Sequence, residues 1–128
     1  MLSARTRLSV ALGLLLGALA GGTPAGPVWM LLQTSPLAGS QYYALLEVLP
    51  QLKVGDRLDL VREPDNPHDR LAIRVEWRGR KLGYLPRLEN RELARAMDAG
   101  ERLRGRVLRV LAHDNPWQRL EIEVYVEI

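Results

Sequence analysis

The chain has 128 residues, 47% hydrophobic and 26% charged, with 18 lysines and arginines against 15 acidic residues. That length holds one domain with a modest core, and that composition excludes wholesale disorder. Cysteine is absent, which excludes disulfides, thiolate zinc sites and a cysteine nucleophile, and leaves two histidines and the carboxylates for any metal chemistry.

Residues 1–25 begin with Arg5 and Arg7, continue through an apolar run from Leu8 to Leu19, and close on the small residues around Ala20. A short basic start, an apolar run and a small-residue end are the layout of a secretory signal peptide, with cleavage expected after Ala20. The run is shorter than the roughly 20 residues of a membrane-spanning helix. The expected location is therefore periplasmic or extracellular, whereas a true start at Met30 would leave the chain in the cytoplasm. Without Arg5 and Arg7 the basic residues number 16 against 15 acidic ones, so net charge selects no partner.

"GGTPAGP" and "QTSPLAGS" are rich in glycine, proline and serine, which predicts a linker over 26–38 and a folded domain over 39–128. "QYYALLEVL" reads as a strand. Tyr42 and Tyr43 would then point to opposite faces, one into the core and one outward as a stacking platform. "VGDRLDLVRE" is a second strand, with Leu58 and Leu60 inward.

The loop "REPDNPHD", residues 62–69, supports two readings. Pro64-Asp65-Asn66-Pro67 makes a good turn on structural grounds alone, because Asp and Asn side chains mimic backbone turns and proline fixes φ. The same loop gathers Asn66, His68 and Asp69, which could converge on a hydroxyl, a phosphate or a base edge.

"LAIRVEWRGRKLGYLP" predicts a hairpin, with Ile73, Val75 and Trp77 inward and Arg78-Gly79 at the turn. One short α-helix follows at about 90–99, with Asn90 at its N-cap, Leu93, Ala94 and Met97 on its inner face, and Gly100 as its stop. "RLRGRVLRVLAHD" is a strand whose alternation slips at Val107-Leu108, which predicts a bulge. "LEIEVYVEI" alternates cleanly, with Leu120, Ile122, Val124, Val126 and Ile128 inward. The tripeptide Asp-Asn-Pro, at 65 and again at 114, is repeated turn chemistry. These elements predict a mainly β fold, a small closed antiparallel barrel of five to six strands with one short helix.

From Arg70 to Arg95 eight basic residues face three acidic ones, a locally basic stretch. Neither His68 with Asp69 nor His113 with Asp114 makes a triad, since adjacent residues rarely face one another and no serine sits in a nucleophile elbow. A small hydrolase is the remotest reading. No metal-ligand spacing or phosphate-binding glycine loop is present, and no cofactor is expected.

"GSQYY" at 39–43, "GDRLDLVREPDNPHDRLAIRV" at 55–75, "GRKLGYLPR" at 79–87 and "NRELARAMDAG" at 90–100 together resemble the HIRAN domain, over residues 39–128. The resemblance implies a barrel related to the OB-fold and a non-enzymatic module that binds single-stranded DNA at its 3′ end. In the family's fork-remodelling helicases an aromatic pair stacks on the terminal base, while a loop asparagine and aspartate hold the terminal nucleotide and its hydroxyl. Carried onto this sequence, the pocket falls on Tyr42, Asn66, His68 and Asp69, with Gln41 and Tyr84 beside it and Arg62, Arg70 and Lys81 near the phosphates. Gln41 stands where the DNA-end binders have an arginine, and His68 where the loop usually has a tyrosine.

The competing reading is an exported envelope module whose loop meets a peptide, a glycan or a partner protein. N-terminal sequencing of the native protein separates the locations: a first residue of Gly21 is expected, and a first residue of Met30 would overturn export.

Overall fold

Strict alternation builds the C-terminal strand, and the rest of the sheet assembles around it. The computed structural model describes residues 26–128; the signal-like segment, residues 1–25, lies outside them. Strand β6, Leu120–Glu127, buries Leu120, Ile122, Val124 and Val126 and turns its intervening side chains outward. The other strands are β1 (Trp29–Pro36), β2 (Arg57–Arg62), β3 (Ile73–Trp77), β4 (Arg80–Tyr84) and β5 (Leu103–Val110). All pair antiparallel in one six-stranded sheet of order β1-β6-β5-β2-β3-β4. Inward side chains from β2, β3 and β6, including Leu58, Ile73, Val75 and Ile122, fill the interior without exposure.

The expected OB-like barrel is present but is not strictly closed: a single bridge joins its two ends. β1 and β4 are the two ends of the sheet order, and just beyond β1 Ala38 exchanges two backbone hydrogen bonds with Tyr84, of 2.8 and 2.9 Å. Gly83 permits this approach. A Cβ on Gly83 would stand 2.5 Å from the Ala38 carbonyl oxygen and 3.0 Å from Leu37.

Several local expectations hold for the reasons given. Arg78 and Gly79 both take positive φ, 48° and 78°, and turn the β3–β4 hairpin. The β5–β6 register shifts between Val107 and Arg109, where the alternation slips. Helix α2, Arg91–Asp98, buries Leu93 and Ala94 and is followed by Gly100 at φ 96°. Asn66 and Asn115, the asparagines of the two Asp-Asn-Pro turns, each accept a backbone N–H from two residues on.

Three expectations give way. Part of the expected linker over 26–38 is strand β1, which pairs along β6 from Trp29↔Glu127 to Pro36↔Glu121, and Ser35 and Leu37 are buried. Local composition could not reveal it, because its partner lies at the other end of the chain. "QYYALLEVL" is a 3₁₀ turn, Ser40–Tyr42, followed by helix α1, Leu45–Val48. Leu45, Val48, Leu49 and Leu52 carry the i, i+3, i+4, i+7 spacing of a helix, and they outweigh the strand propensity of the aromatic pair. Ile128, expected inward, is 73% exposed just past the end of β6.

Gly83→Ala is expected to destabilise the fold by about 1–3 kcal/mol through overpacking at the closure. Urea unfolding of the two proteins measures it, and equal midpoints would show that the Ala38 contact is slack.

Candidate functional site

The loop between β2 and β3, residues 63–72, is held by its own side chains. Asn66 Oδ1 accepts from the backbone N–H groups of His68, at 2.8 Å, and Asp69, at 3.1 Å, and its Nδ2 donates to Glu63 at 2.9 Å. Arg62 spans the loop from behind, donating to the carbonyls of Ala72 and Arg70 at 2.8 and 3.0 Å and to both Asp98 carboxylate oxygens. At the opposite end of α2, buried Asn90 donates from Nδ2 to Asp69 Oδ2 at 2.8 Å, while Asp69 Oδ1 accepts from the Leu71 N–H at 2.9 Å. The helix therefore braces the loop at both of its ends.

Glu63 is the hub on the other side. It accepts from Asn66, from the Tyr84 hydroxyl at 2.8 Å and from Arg74 at 2.7 Å. Burial alone would raise its pKa, but these hydrogen bonds and the Lys81 charge more than offset it and hold the carboxyl below its ordinary value. Lys81 donates to the Tyr84 hydroxyl at 2.7 Å and lies 4.1 Å above the Tyr43 ring. Burial would lower the Lys81 pKa, yet hydrogen bonding to Tyr84 and Tyr43 raises it, so the ammonium is fully charged at neutral pH. Burial pushes the Tyr84 phenol up, which keeps it a neutral donor to Glu63. Tyr43 packs edge-on against Tyr84, with ring centroids 5.9 Å apart.

Between the loop and β4 these groups leave a cleft of about 210 Å³. Asn66, His68 and Asp69 form one wall, Tyr43 and Tyr84 the other, Ala38, Ala72 and Leu85 an apolar floor, and Arg87 a charged end. Arg87 donates to the His68 carbonyl at 2.7 Å and keeps further N–H groups for a ligand. Chemically the cleft offers aromatic and imidazole faces, a carboxylate with spare lone pairs and a guanidinium.

Of the residues expected at the site, Asn66, His68, Asp69 and Tyr84 line this cleft. Asn66 does so with its amide oxygen and one amide hydrogen committed to the loop itself, so it shapes the wall. Gln41 and Tyr42 lie on the 3₁₀ turn outside the lining, with Tyr42 76% exposed and edge-on to Tyr43. Arg62 and Lys81 serve the framework. The Arg62 guanidinium is taken up by the loop and Asp98, and the Lys81 ammonium by the two tyrosines. Arg70 is exposed beside Pro64–Pro67 and lines a neighbouring depression that shares Asn66 with the cleft.

Tyr43, Arg87 and Asn90 were missed as site residues. Asn90 was expected to cap α2, and it stands at the cap position, but its side chain caps nothing and goes to Asp69. Arg87 ends the "GRKLGYLPR" stretch and counts in the basic run, but neither signal marked it as a cleft residue.

A single-domain barrel related to the OB-fold, with an aromatic and acidic cleft between a braced loop and a closing strand, is the class that these features define. The chain belongs to the HIRAN domain family, whose model matches residues 31–128. It is similar to a protein of Lactobacillus plantarum known from its crystal structure, at 34% identity and a TM-score of 0.70, over 80% of this chain and 98% of that one. It also shares its fold with the HIRAN domain of human HLTF, at 22% identity and a TM-score of 0.61, over 77% of this chain and 78% of that one. No curated protein sequence matches it.

The Glu63 hub gives the fold an acid-sensitive contribution. Because the folded pKa is depressed, the carboxylate stabilises the protein above the ordinary glutamate range, and that contribution is lost as pH falls through the folded value. Glu63→Gln is expected to cost about 1–3 kcal/mol at pH 7, with the gap to the parent shrinking below about pH 4. Denaturation at stepped pH measures the gap; a constant gap would show that the charge contributes nothing.

Proposed function

We propose that the protein is a non-enzymatic nucleic-acid-binding module whose cleft takes the 3′-terminal nucleotide of single-stranded DNA. The observation that carries this reading is the oriented Asp69 carboxylate. Each of its oxygens already accepts one internal donor, and each retains a lone pair for a ligand hydroxyl. Such a carboxylate binds a free terminal hydroxyl well and repels a phosphate in its place. His68 and the outlying Tyr42 supply stacking faces for the last base, a contribution of about 1–3 kcal/mol per base for an aromatic ring. Arg87, which lines the cleft, is the phosphate partner, a role expected of Arg62, Arg70 and Lys81. Family membership supports the nucleic-acid class of ligand, and the cleft supports its end.

A second reading rests on the signal-like segment 1–25. If the chain is exported, the same cleft would meet a peptide, a glycan or a partner protein outside the cytoplasm, and binding would not depend on a 3′ hydroxyl.

The test is a titration with single strands that carry a free or a blocked 3′ hydroxyl. The free strand is expected to bind about 10-fold or more tightly, the worth of one hydrogen bond to a charged group. Asp69→Ala is expected to abolish the preference without unfolding the protein. Equal binding of the two strands by the parent protein would overturn end recognition. Arg87→Gln should weaken both strands alike and lower the salt dependence by about one phosphate contact.

A further inference from the structure

At the end of the barrel far from the cleft, the outward face of the sheet carries a second cluster that the end-binding site does not use. Arg104 and Arg106 point outward from β5, Arg57 lies at the start of β2, and Trp29 and Tyr125 come from β1 and β6. Together they line a groove of about 280 Å³.

Its charges are arranged against the usual rules of a sheet. Arg57 and Arg106 are direct cross-strand partners, and like charges directly opposite destabilise a pair. Arg57 is relieved by Asp59 at 3.2 Å and Arg106 by Glu123 at 3.0 Å. Arg104 has no carboxylate partner among the described residues. Its guanidinium instead lies 3.8 Å from the centre of the Trp29 ring, while that of Arg106 lies 4.9 Å from the centre of the Tyr125 ring. Three guanidiniums share two carboxylates, so the groove keeps one positive charge uncompensated. A guanidinium pinned on a ring also has its donors oriented before any ligand arrives, which lowers the ordering cost of binding. Planar arginines between aromatic rings suit phosphates and bases, whereas an acidic peptide would leave the rings unused.

The groove and the cleft stand at the two ends of β1, Trp29 belonging to one and Ala38 to the other. At ~3.3 Å per residue the intervening chain spans roughly 30 Å, so a terminal nucleotide in the cleft cannot itself reach the groove.

We propose that the Arg57–Arg104–Arg106 groove is a second contact for the bound strand, taking phosphates upstream of the 3′ end. The proposal rests on the nucleic-acid reading of the cleft.

The experiment titrates the full chain with fluorescent single strands of about 4 and about 15 nucleotides, the span of OB-fold site sizes. Both carry one free 3′ hydroxyl, and each is run at two salt concentrations. The longer strand is expected to bind at least about 10-fold more tightly with a steeper salt dependence. Arg57→Gln with Arg104→Gln should remove that gain and cut the slope by about two phosphates, leaving the short strand and its 3′-hydroxyl preference intact. The exposed Arg57→Glu, with melting curves for both proteins, guards against a folding defect. Equal binding of long and short strands by the parent protein, or a gain that survives in the variants, would overturn the groove while leaving the cleft standing. Failure of the parent to bind either strand would overturn both.

Discussion

Two backbone hydrogen bonds between Ala38 and Tyr84 do two things at once. They bridge the two ends of the six-stranded sheet, and they fix the residue whose side chain joins the cleft to its supports. Tyr84 reaches Glu63 and Lys81 with one hydroxyl and Tyr43 with its ring, so the bridge and the cleft geometry are one constraint. Gly83 makes the approach possible by presenting no side chain to the Ala38 carbonyl. Any change that loosens the closure also moves one wall of the cleft.

The opposite wall is rigid for a different reason. Its loop has little hydrophobic burial of its own, so its shape rests on polar groups matched one to one: Asn66 to two backbone amides, Arg62 to two carbonyls, Asn90 to Asp69. Helix α2 anchors both ends of that set through Asn90 and Asp98. Arg62 beside Asp98 keeps the latter's carboxyl below its usual range, as a charged clasp requires. A preformed wall of this kind reduces the ordering cost that a ligand would otherwise bear.

Gln41, where the resemblance to the DNA-end binders leads one to expect an arginine, lies outside the cleft on the 3₁₀ turn. The guanidinium at the cleft comes instead from Arg87, beyond the closing strand. His68, standing where a tyrosine is usual, is exposed at the cleft and is fixed by its backbone: the N–H goes to Asn66 and the carbonyl accepts from Arg87.

Much of this is legible in the sequence. Alternation placed β2, β3 and β6, a slipped phase placed the β5 bulge, a helical stripe ended by Gly100 placed α2, and the clustering of Asn66, His68 and Asp69 marked the loop. These are local signals, each set by side-chain period or backbone preference within a few residues. What the sequence could not show was which distant group each polar side chain would meet. Asn90 has the chemistry of a helix cap and became a brace for Asp69 because the loop arrives beside it, 21 residues away in the chain. Arg62 and Lys81 have the chemistry of phosphate ligands and were taken up by Asp98 and by two tyrosines. β1 carries almost no local signature, and pairing with β6 made it a strand. The sequence by itself determined most of the elements and the family; the tertiary structure decided β1 and which residues face the cleft, because a strand pairing, a hydrogen bond or an ion pair is settled by what the fold brings within about 3 Å.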